Sequence, residues 1–217
     1  MDFKALVAAP LVAFLVVASA NEVTMPQRWS ATSTGSASNS FQIGVDPQVS
    51  FNGQRALTVN AISGVEDVSF GTAIQYVNSF GYEGKRVRFS GMLKAKGVHT
   101  WAGIWLGSGF VTTFDNEKNT LPAGTGIGGA DQDWQRVSVV MDVAADEKVG
   151  ISMGVALVGK GQVWVSDLKF EEVDAKVPVT STLVGLDLPK LKARKADRER
   201  LPAPSVKQVP KNLGLET

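Results

Sequence analysis

The sequence predicts an all-β fold, an antiparallel β-sandwich or jelly roll with an extended C-terminal tail. Three observations support it. Between residues 41 and 173, short runs rich in Val, Ile, Phe, Trp and Thr alternate with clusters of Gly, Asn and Asp, a spacing typical of sandwich strands and their turns. Within several runs apolar and polar residues alternate, as a strand with one buried face requires. No apolar period of 3.6 residues persists for a dozen residues, so no long amphipathic helix is expected.

The length and the first residues limit the organisation of the chain. With 217 residues, 44% of them hydrophobic, the chain can bury the core of one ordinary domain. Lys4, an apolar run and the triplet Ala18-Ser19-Ala20 together fit a secretory signal over residues 1–20. The alternative, an uncleaved membrane anchor, needs about 20 apolar residues, more than this run supplies. We therefore expect a periplasmic or secreted protein with no transmembrane anchor after processing.

The elements follow in order along the chain. Residues 21–40 are polar and read as a lead-in segment, in which Trp29 is the expected anchor to the core. Residues 41–173 form the predicted jelly-roll domain. Its candidate strands are residues 41–45, 55–61, 69–77, 85–95, 100–107, 111–115, 133–143, 149–158 and 161–173.

Alternation assigns the two faces of individual strands. In residues 85–95, Val87, Phe89 and Leu93 share the face expected to be buried. In residues 149–158 the aliphatic side chains oppose a face of small residues, which predicts open space above the sheet and a shallow floor. The small residues are Gly150, Ser152, Gly154 and Ala156.

Residues 174–217 form a basic tail with five prolines and nine Lys or Arg against five Asp or Glu. This composition predicts a Pro-rich segment that is partly disordered or carries one short helix between Leu191 and Arg200. Residues 21–173 hold 12 Lys or Arg against 15 Asp or Glu. Because nucleic-acid recognition usually needs a basic face on the folded domain itself, we do not expect a nucleic-acid partner.

The strand at residues 100–107 carries two tryptophans on one face. Trp101, Gly103 and Trp105 alternate with Ala102, Ile104 and Leu106. Since Ile and Leu are more often fully buried than Trp, we expect the indoles to face outward as an aromatic platform that stacks on a ligand. The alternative is that both indoles pack in the core or under a loop. The predicted ligand-binding residues are Trp101, Trp105, Arg88, Gln75, Ser138 and Ser152.

Two further tryptophans receive different interpretations. Trp164 alternates with Leu168 and Phe170 in the last strand, which predicts a core position. Trp134 opens the strand at residues 133–143 and is expected either at the rim of the sheet or as a cap on the core.

Four segments carry a resemblance to a known family: "YEGKRVRFSGMLKAKGVHTWAGIWLG", "FDNEKNTLPAGT", "DWQRVSVVMDV" and "GKGQVWVSDLKFEEV". They resemble the galactose-binding-like jelly-roll superfamily, most closely a poorly characterised bacterial branch of it, and the similarity runs from about residue 71 to residue 173. The superfamily includes many carbohydrate-binding modules, and such domains are generally non-catalytic. The resemblance therefore implies a carbohydrate-binding jelly roll.

The same resemblance implies a metal site, and the sequence departs from the family pattern at two places. In many carbohydrate-binding relatives an aspartate matching Asp167 helps to hold a structural Ca²⁺, but here Ser166 replaces a frequent second aspartate. The motif "NLGLE" at residues 212–216 resembles the opening motif of such modules and yet lies in the tail. It is expected either to pair back on the body as an edge strand or to be a vestige of a following module.

Few residues in this sequence point to catalysis. His99 is the only histidine, so any Ser-His-Asp triad or histidine metal site would have to use it; we read His99 as a solvated turn residue. There is no cysteine, so thiol chemistry is excluded. "GTGIGG" at residues 124–129 precedes a predicted strand rather than a helix, which argues against a dinucleotide site. Asp115, Glu117 and Asn119 lack the glycine and distal glutamate of a calcium loop. A carboxylate pair for glycoside hydrolysis is defined by distance in space and stays as an alternative.

These observations predict an exported non-catalytic binding module for a carbohydrate or a cell-envelope glycan, with no cofactor unless Asp167 holds Ca²⁺. The alternative is a structural or protein-interaction module that docks on an envelope partner through its sheet face or its basic tail.

Overall fold

The computed structural model describes residues 22–33, 40–62, 65–67, 69–108, 111–113, 126–127, 131–180 and 205–217. These residues form eleven strands and no helix. The strands are β1 (Ser30–Ser33), β2 (Phe41–Phe51), β3 (Gln54–Ala61), β4 (Phe70–Val77), β5 (Arg86–Lys96), β6 (Trp101–Ser108), β7 (Val111–Thr113), β8 (Gly126–Ile127), β9 (Gln132–Asp142), β10 (Ile151–Val158) and β11 (Gln162–Val173).

The strands form two antiparallel sheets that pack face to face. Sheet A has the order β2-β3-β11-β5-β9, and sheet B has the order β1-β4-β10-β6-β7, with β8 also paired to β6. This arrangement confirms the predicted all-β sandwich of jelly-roll type. The described part of the chain contains no helix long and apolar enough to span a bilayer.

The core lies between the sheets and follows the alternation in the sequence. Val87, Phe89 and Leu93 of β5 face Ile104 and other aliphatic side chains of sheet B, and all of them are fully buried. Each sheet therefore has an inner face, which points toward the core, and an outer face, which points away from the other sheet.

A bulge in β11 changes which residues face the core. The pairing with β5 shifts between Ser166 and Lys169, and Asp167 adopts a left-handed φ of 48°, which Asp tolerates better than most residues. Val163 and Val165 point inward before the bulge, and Leu168 points inward after it. Trp164 is buried, as predicted, with 7% of its surface exposed, but it lies on the outer face of sheet A rather than between the sheets with Leu168.

Both predicted flanking segments contribute to the folded body. Trp29 is buried in the core, as predicted, and its Nε1 donates to the carbonyl oxygen of Asn212 at 3.3 Å. Leu215 is also in the core, with 1% of its surface exposed. Residues 205–217 are thus not an extended tail, and "NLGLE" packs back on the body as a turn rather than as an edge strand. The predicted signal at residues 1–20 and the predicted helix at 191–200 lie outside the described residues.

Candidate functional site

Trp101 and Trp105 lie on the predicted side of β6 but are not open to a ligand. Both point away from Ile104 and Leu106, which are in the core, so the assignment of the two faces is confirmed. The expected exposure is wrong, because Trp101 is 2% and Trp105 is 7% exposed. The two indoles form a second buried cluster on the outer face of sheet B, together with Ile74 and neighbouring apolar residues of β10.

The small residues of β10 explain how the indole of Trp105 is accommodated. A Cβ atom on Gly154 would lie 2.5 Å from both Cε2 and Nε1 of Trp105, so the ring occupies the space above this glycine. Trp105 Nε1 donates to Thr72 Oγ1 at 3.0 Å, and this hydroxyl donates to the carbonyl oxygen of Val155 at 2.8 Å. The expected open floor at Gly154 is therefore filled by the ring of Trp105.

The remaining predicted ligand-binding residues do not converge with the tryptophans. Ser152 lies on the same outer face of sheet B and is half-buried. Gln75 is on the opposite side of β4 and is buried, where its side-chain amide exchanges two hydrogen bonds, of 2.9 and 2.8 Å, with the backbone of Lys211. Arg88 and Ser138 belong to sheet A, and Arg88 forms an ion pair of 2.9 Å with Glu171. The predicted constellation is thus divided between the two sheets.

Asp167 is engaged by cations of the protein itself. Its carboxylate is ion-paired with Arg136 and lies 3.5 Å from Lys169 Nζ. The hydrogen bond from Arg136 holds the pKa of Asp167 below its ordinary value. No group of three His, Cys, Asp or Glu side chains that could hold a metal occurs among the described residues. Two cations on one carboxylate disfavour a third, so this arrangement does not fit the Ca²⁺ site implied by the family resemblance.

The outer face of sheet A carries an aromatic contact that the sequence did not indicate. The rings of Phe51 and Trp134 lie 5.3 Å apart between centroids, with an interplanar angle of 54°. Phe51 ends β2, Trp134 lies two residues after the start of β9, and these strands form the two edges of sheet A. Because neighbouring strands are about 4.8 Å apart, the edges of a flat five-stranded sheet would be separated by roughly 19 Å. The end of the β2–β3 hairpin must therefore bend over the outer face.

The pairing pattern shows where the hairpin leaves the sheet. β3 pairs with β11 only from Leu57 to Asn60, so Gln54 to Ala56 extend beyond the ladder. The β2–β3 pairing shifts between Asp46 and Ser50. Asp46 stabilises this irregular stretch, because its Oδ1 accepts from the backbone N–H groups of Gln48 and Val49, and its Oδ2 accepts from Trp164 Nε1 at 2.7 Å. Asp46 thereby connects the hairpin to the outer face.

Charged groups flank the pair of rings, which we call the aromatic bridge (Phe51 and Trp134). Asp133 Oδ1 accepts from the Trp134 backbone N–H at 2.9 Å and from Lys94 Nζ at 3.2 Å. The backbone hydrogen bond and, after it, Lys94 lower the pKa of Asp133. Two residues after Trp134 on the same face of β9, Arg136 holds Asp167. Both rings are half-buried, so an apolar surface lies next to hydrogen-bonding groups.

The sequence contained a signal for one half of this bridge. Trp134 was expected at the rim of the sheet or as a core cap, and it lies on the outer face rather than in the core. Phe51 falls between two candidate strands, and no local pattern connects it to a residue 83 positions later in the chain. His99, in contrast, is exposed at the entry to β6 as predicted. Asp115, Glu117, Asn119 and most of "GTGIGG" lie outside the described residues.

Comparison with known proteins gave one curated relative. No family model matches the sequence. An uncharacterized HTH-type transcriptional regulator, YbfP of Bacillus subtilis, is 35% identical over 153 residues, which cover 68% of this chain and 49% of the regulator. The chain thus spans about half the length of this relative.

Solved structures similar to this chain include a carbohydrate-binding module, the kind of protein that the sequence resemblance names. The CBM22-1 xylan-binding domain of Paenibacillus barcinonensis Xyn10C is 12% identical, with a TM-score of 0.46, over 71% of this chain and 91% of the domain. The enzymatically active domain of tailspike protein 4 from bacteriophage CBA120 is 10% identical, with a TM-score of 0.46, over 71% of this chain and 22% of that chain. Likeness at this level says nothing about what this chain binds.

Proposed function

We propose that this protein is a non-catalytic binding module for a carbohydrate, whose ligand lies on the outer face of sheet A against the aromatic bridge. The observation that carries the proposal is the contact between Phe51 and Trp134 across the width of the sheet. Export through residues 1–20 belongs to the same proposal, since glycans of the cell envelope would then be accessible.

The chemistry of the bridge suits a sugar. The faces of Phe and Trp present an apolar, electron-rich surface, which complements the C–H groups on one side of a pyranose ring. Lys94 and Asp133 next to Trp134 supply a donor and an acceptor for hydroxyl groups at the edge of the same ring. A small number of polar groups beside an apolar surface is the usual composition of a site for a small ligand. On sheet B the indoles are buried and offer no such surface.

The name of the curated relative gives no reason to propose DNA binding. A helix-turn-helix motif consists of two helices joined by a short turn, and the described part of this chain forms strands only.

The test is a glycan array with the purified protein and three alanine variants. Phe51→Ala and Trp134→Ala should each weaken binding of the best-bound glycan about two- to tenfold, since aromatic stacking contributes on the order of 0.5–1.5 kcal/mol. Tyr76→Ala is the matched control, because Tyr76 is 66% exposed on the outer face of the other sheet. Circular dichroism checks that each variant is folded. Loss of binding in the Tyr76 variant alone, or binding that survives both bridge substitutions, would contradict the proposal.

One observation favours the alternative of a protein-interaction module. Tyr76, Val206 and Val209 are strongly exposed and lie together, because Asn78 Nδ2 donates to the carbonyl oxygen of Val206 and because Tyr76 and Val209 line one cavity. Exposed apolar patches often mark contact surfaces. If no glycan binds and Tyr76→Ala abolishes retention of envelope proteins on the immobilised module, this alternative replaces the carbohydrate proposal.

A further inference from the structure

A pocket lies at the end of the sandwich beside the aromatic bridge. It has a volume of about 690 Å³, within the range of about 300–1,000 Å³ that is typical of ligand sites. Its walls come from three separate parts of the chain: the tip of the β2–β3 hairpin from Gly53 to Arg55, the β11 bulge at Asp167 and Leu168, and the C-terminal turn with Gly214 and Glu216. We call it the end pocket.

The walls of the end pocket are held in place by contacts outside it. Leu215 is anchored in the core, and the backbone oxygen of Glu216 accepts from Gln27 N at 3.1 Å and from Asn212 Nδ2 at 2.6 Å. On the opposite side, Ser166 Oγ donates to the carbonyl oxygen of Arg55 at 2.7 Å. The pocket is therefore formed before any ligand arrives.

Two connections join the end pocket to the aromatic bridge. Gly53, in its wall, follows Phe51 by two residues in the same hairpin. Asp167, in the opposite wall, is ion-paired with Arg136, which is two residues from Trp134 and so about 7 Å away along β9. A ligand on the bridge thus reaches the end pocket through one or two intervening sugar rings.

Two polar side chains of the end pocket, those of Gln54 and Glu216, are available to a ligand. The side chains of Gln54 and Glu216 form no hydrogen bond or ion pair with other described residues, whereas other polar side chains of the C-terminal segment, among them Gln208 and Asn212, do. An amide and a carboxylate together can donate to and accept from the hydroxyl groups of a sugar.

We propose that the end pocket is a second subsite of the same binding surface. The sugar ring that it binds is two or three positions along the oligosaccharide from the ring stacked on the aromatic bridge. This inference rests on the proposed carbohydrate function and specifies its substrate class. The protein binds oligosaccharides in preference to mono- and disaccharides, because only a longer ligand fills both subsites.

Gly214 allows the pocket to be blocked without disturbing the fold. No atom lies within 4 Å of the position that its Cβ would take, and its φ is outside the left-handed region. In Gly214→Phe the new ring therefore occupies part of the pocket. Val206→Phe is the matched control, since it adds the same ring at a position 71% exposed in the same segment. Gln54→Ala removes one hydrogen-bonding group instead of filling space.

The experiment measures binding by calorimetry, with di- and hexasaccharides of β-1,4-linked glucose, xylose and N-acetylglucosamine as probes. We expect the wild type to bind one hexasaccharide at least tenfold more tightly than its disaccharide. Gly214→Phe should remove this preference for the hexasaccharide and leave the disaccharide affinity unchanged. Gln54→Ala should reduce the preference several-fold, and Val206→Phe should preserve the preference.

The outcomes separate the two proposals. If Gly214→Phe keeps the full preference for the hexasaccharide, or weakens both probes equally, while Trp134→Ala abolishes binding, the second subsite is refuted and the carbohydrate function stands. If the wild type binds none of the six probes, or if Trp134→Ala binds all of them as the wild type does, both proposals fail.

Discussion

Gly154 shows how a single small residue determines the structure of one sheet face. The indole of Trp105 lies over it, and its Nε1 reaches Thr72 on β4, the strand beyond β10. A buried indole N–H needs such a partner. Gly154, which pairs with Trp105 in register, therefore provides the space, and Thr72 provides the hydrogen bond that allows this ring to be buried.

A Gly154→Ala substitution should destabilise the protein by about 1–3 kcal/mol, as is typical when a methyl group is forced into a filled space. The new Cβ would meet the indole and the carbonyl oxygen of Ala73 at 2.5 Å, so that backbone as well as side chain must shift. Urea unfolding followed by circular dichroism measures the change. Ser152→Ala, on the same face of the same strand, should change the free energy of unfolding by less than about 0.5 kcal/mol. Equal effects of the two substitutions would show that the contact with Trp105 is not the cause.

At the residue scale, alternation predicted orientation correctly and burial incorrectly. Trp101 and Trp105 face away from Ile104, because the pleat of a strand imposes a period of two. Whether an outward side chain meets water depends on what lies above the sheet, which a strand's own sequence does not contain. Gln75 is a different case, because it lies on the opposite side of β4, where its partner Lys211 is 136 positions away in the sequence.

At the scale of elements, irregularities in the strands decide the candidate site. The bulge at Asp167 places Trp164 and Leu168 on opposite faces of β11, with Trp164 on the outer face. The shifted pairing between β2 and β3 directs the hairpin over sheet A. Bulges bend strands and redirect side chains. The sequence located nine of the eleven strands, since strand periodicity is local; eight have bounds within two residues of the prediction, and the predicted β2 ends six residues early. It did not reveal the two irregularities, which depend on register with a partner strand.

The C-terminal segment is an element in its own right, although it has no regular secondary structure. Leu215→Ala should lower the free energy of unfolding by about 2–5 kcal/mol, as for other fully buried leucines, because the side chain is in the core. Val209→Ala, in the same segment but exposed, should change it by less than about 0.5 kcal/mol. Thermal or urea unfolding distinguishes these values. A Leu215 variant as stable as the wild type would restore the interpretation of residues 205–217 as a dispensable tail.

At the scale of the whole molecule, ion pairs join strands and segments that are distant in sequence. Arg136 and Asp167 link β9 to the β11 bulge, and Glu172 pairs with both Lys85 and Lys207. Hydrogen bonds from these cations, first Arg136 for Asp167 and first Lys207 for Glu172, lower the pKa of each carboxyl group. Each exposed ion pair contributes little to the free energy of unfolding, but all of them stabilise the fold when the carboxyl group is ionised.

These pairs predict acid sensitivity. A carboxyl group whose pKa is lower in the folded protein stabilises the fold above its unfolded pKa, about 3.9 for Asp and about 4.3 for Glu, and this stabilisation is lost as the pH falls toward the folded pKa. The urea midpoint should therefore be nearly constant from pH 7 to about 5 and fall below about pH 4. Asp167→Asn, which suits the same left-handed φ, should flatten this fall.

The control for the acid experiment is Glu66→Gln. Glu66 is exposed, and its side chain forms no ion pair with other residues that the structure describes. The substitution should leave the pH profile unchanged. A profile that is identical in the wild type and in the Asp167 variant would show that the pair with Arg136 does not contribute to stability in solution.

The sequence by itself determined the β-sandwich, most strand positions and the inward faces of β5, β6 and β10, because a two-residue period and turn residues act within a few positions of one another. Only the tertiary structure decided which outward aromatic side chains are covered, that Phe51 meets Trp134, and that residues 205–217 complete the core. These outcomes depend on contacts between distant parts of the chain, where register, bulges and the path of one segment over another set the distance between side chains.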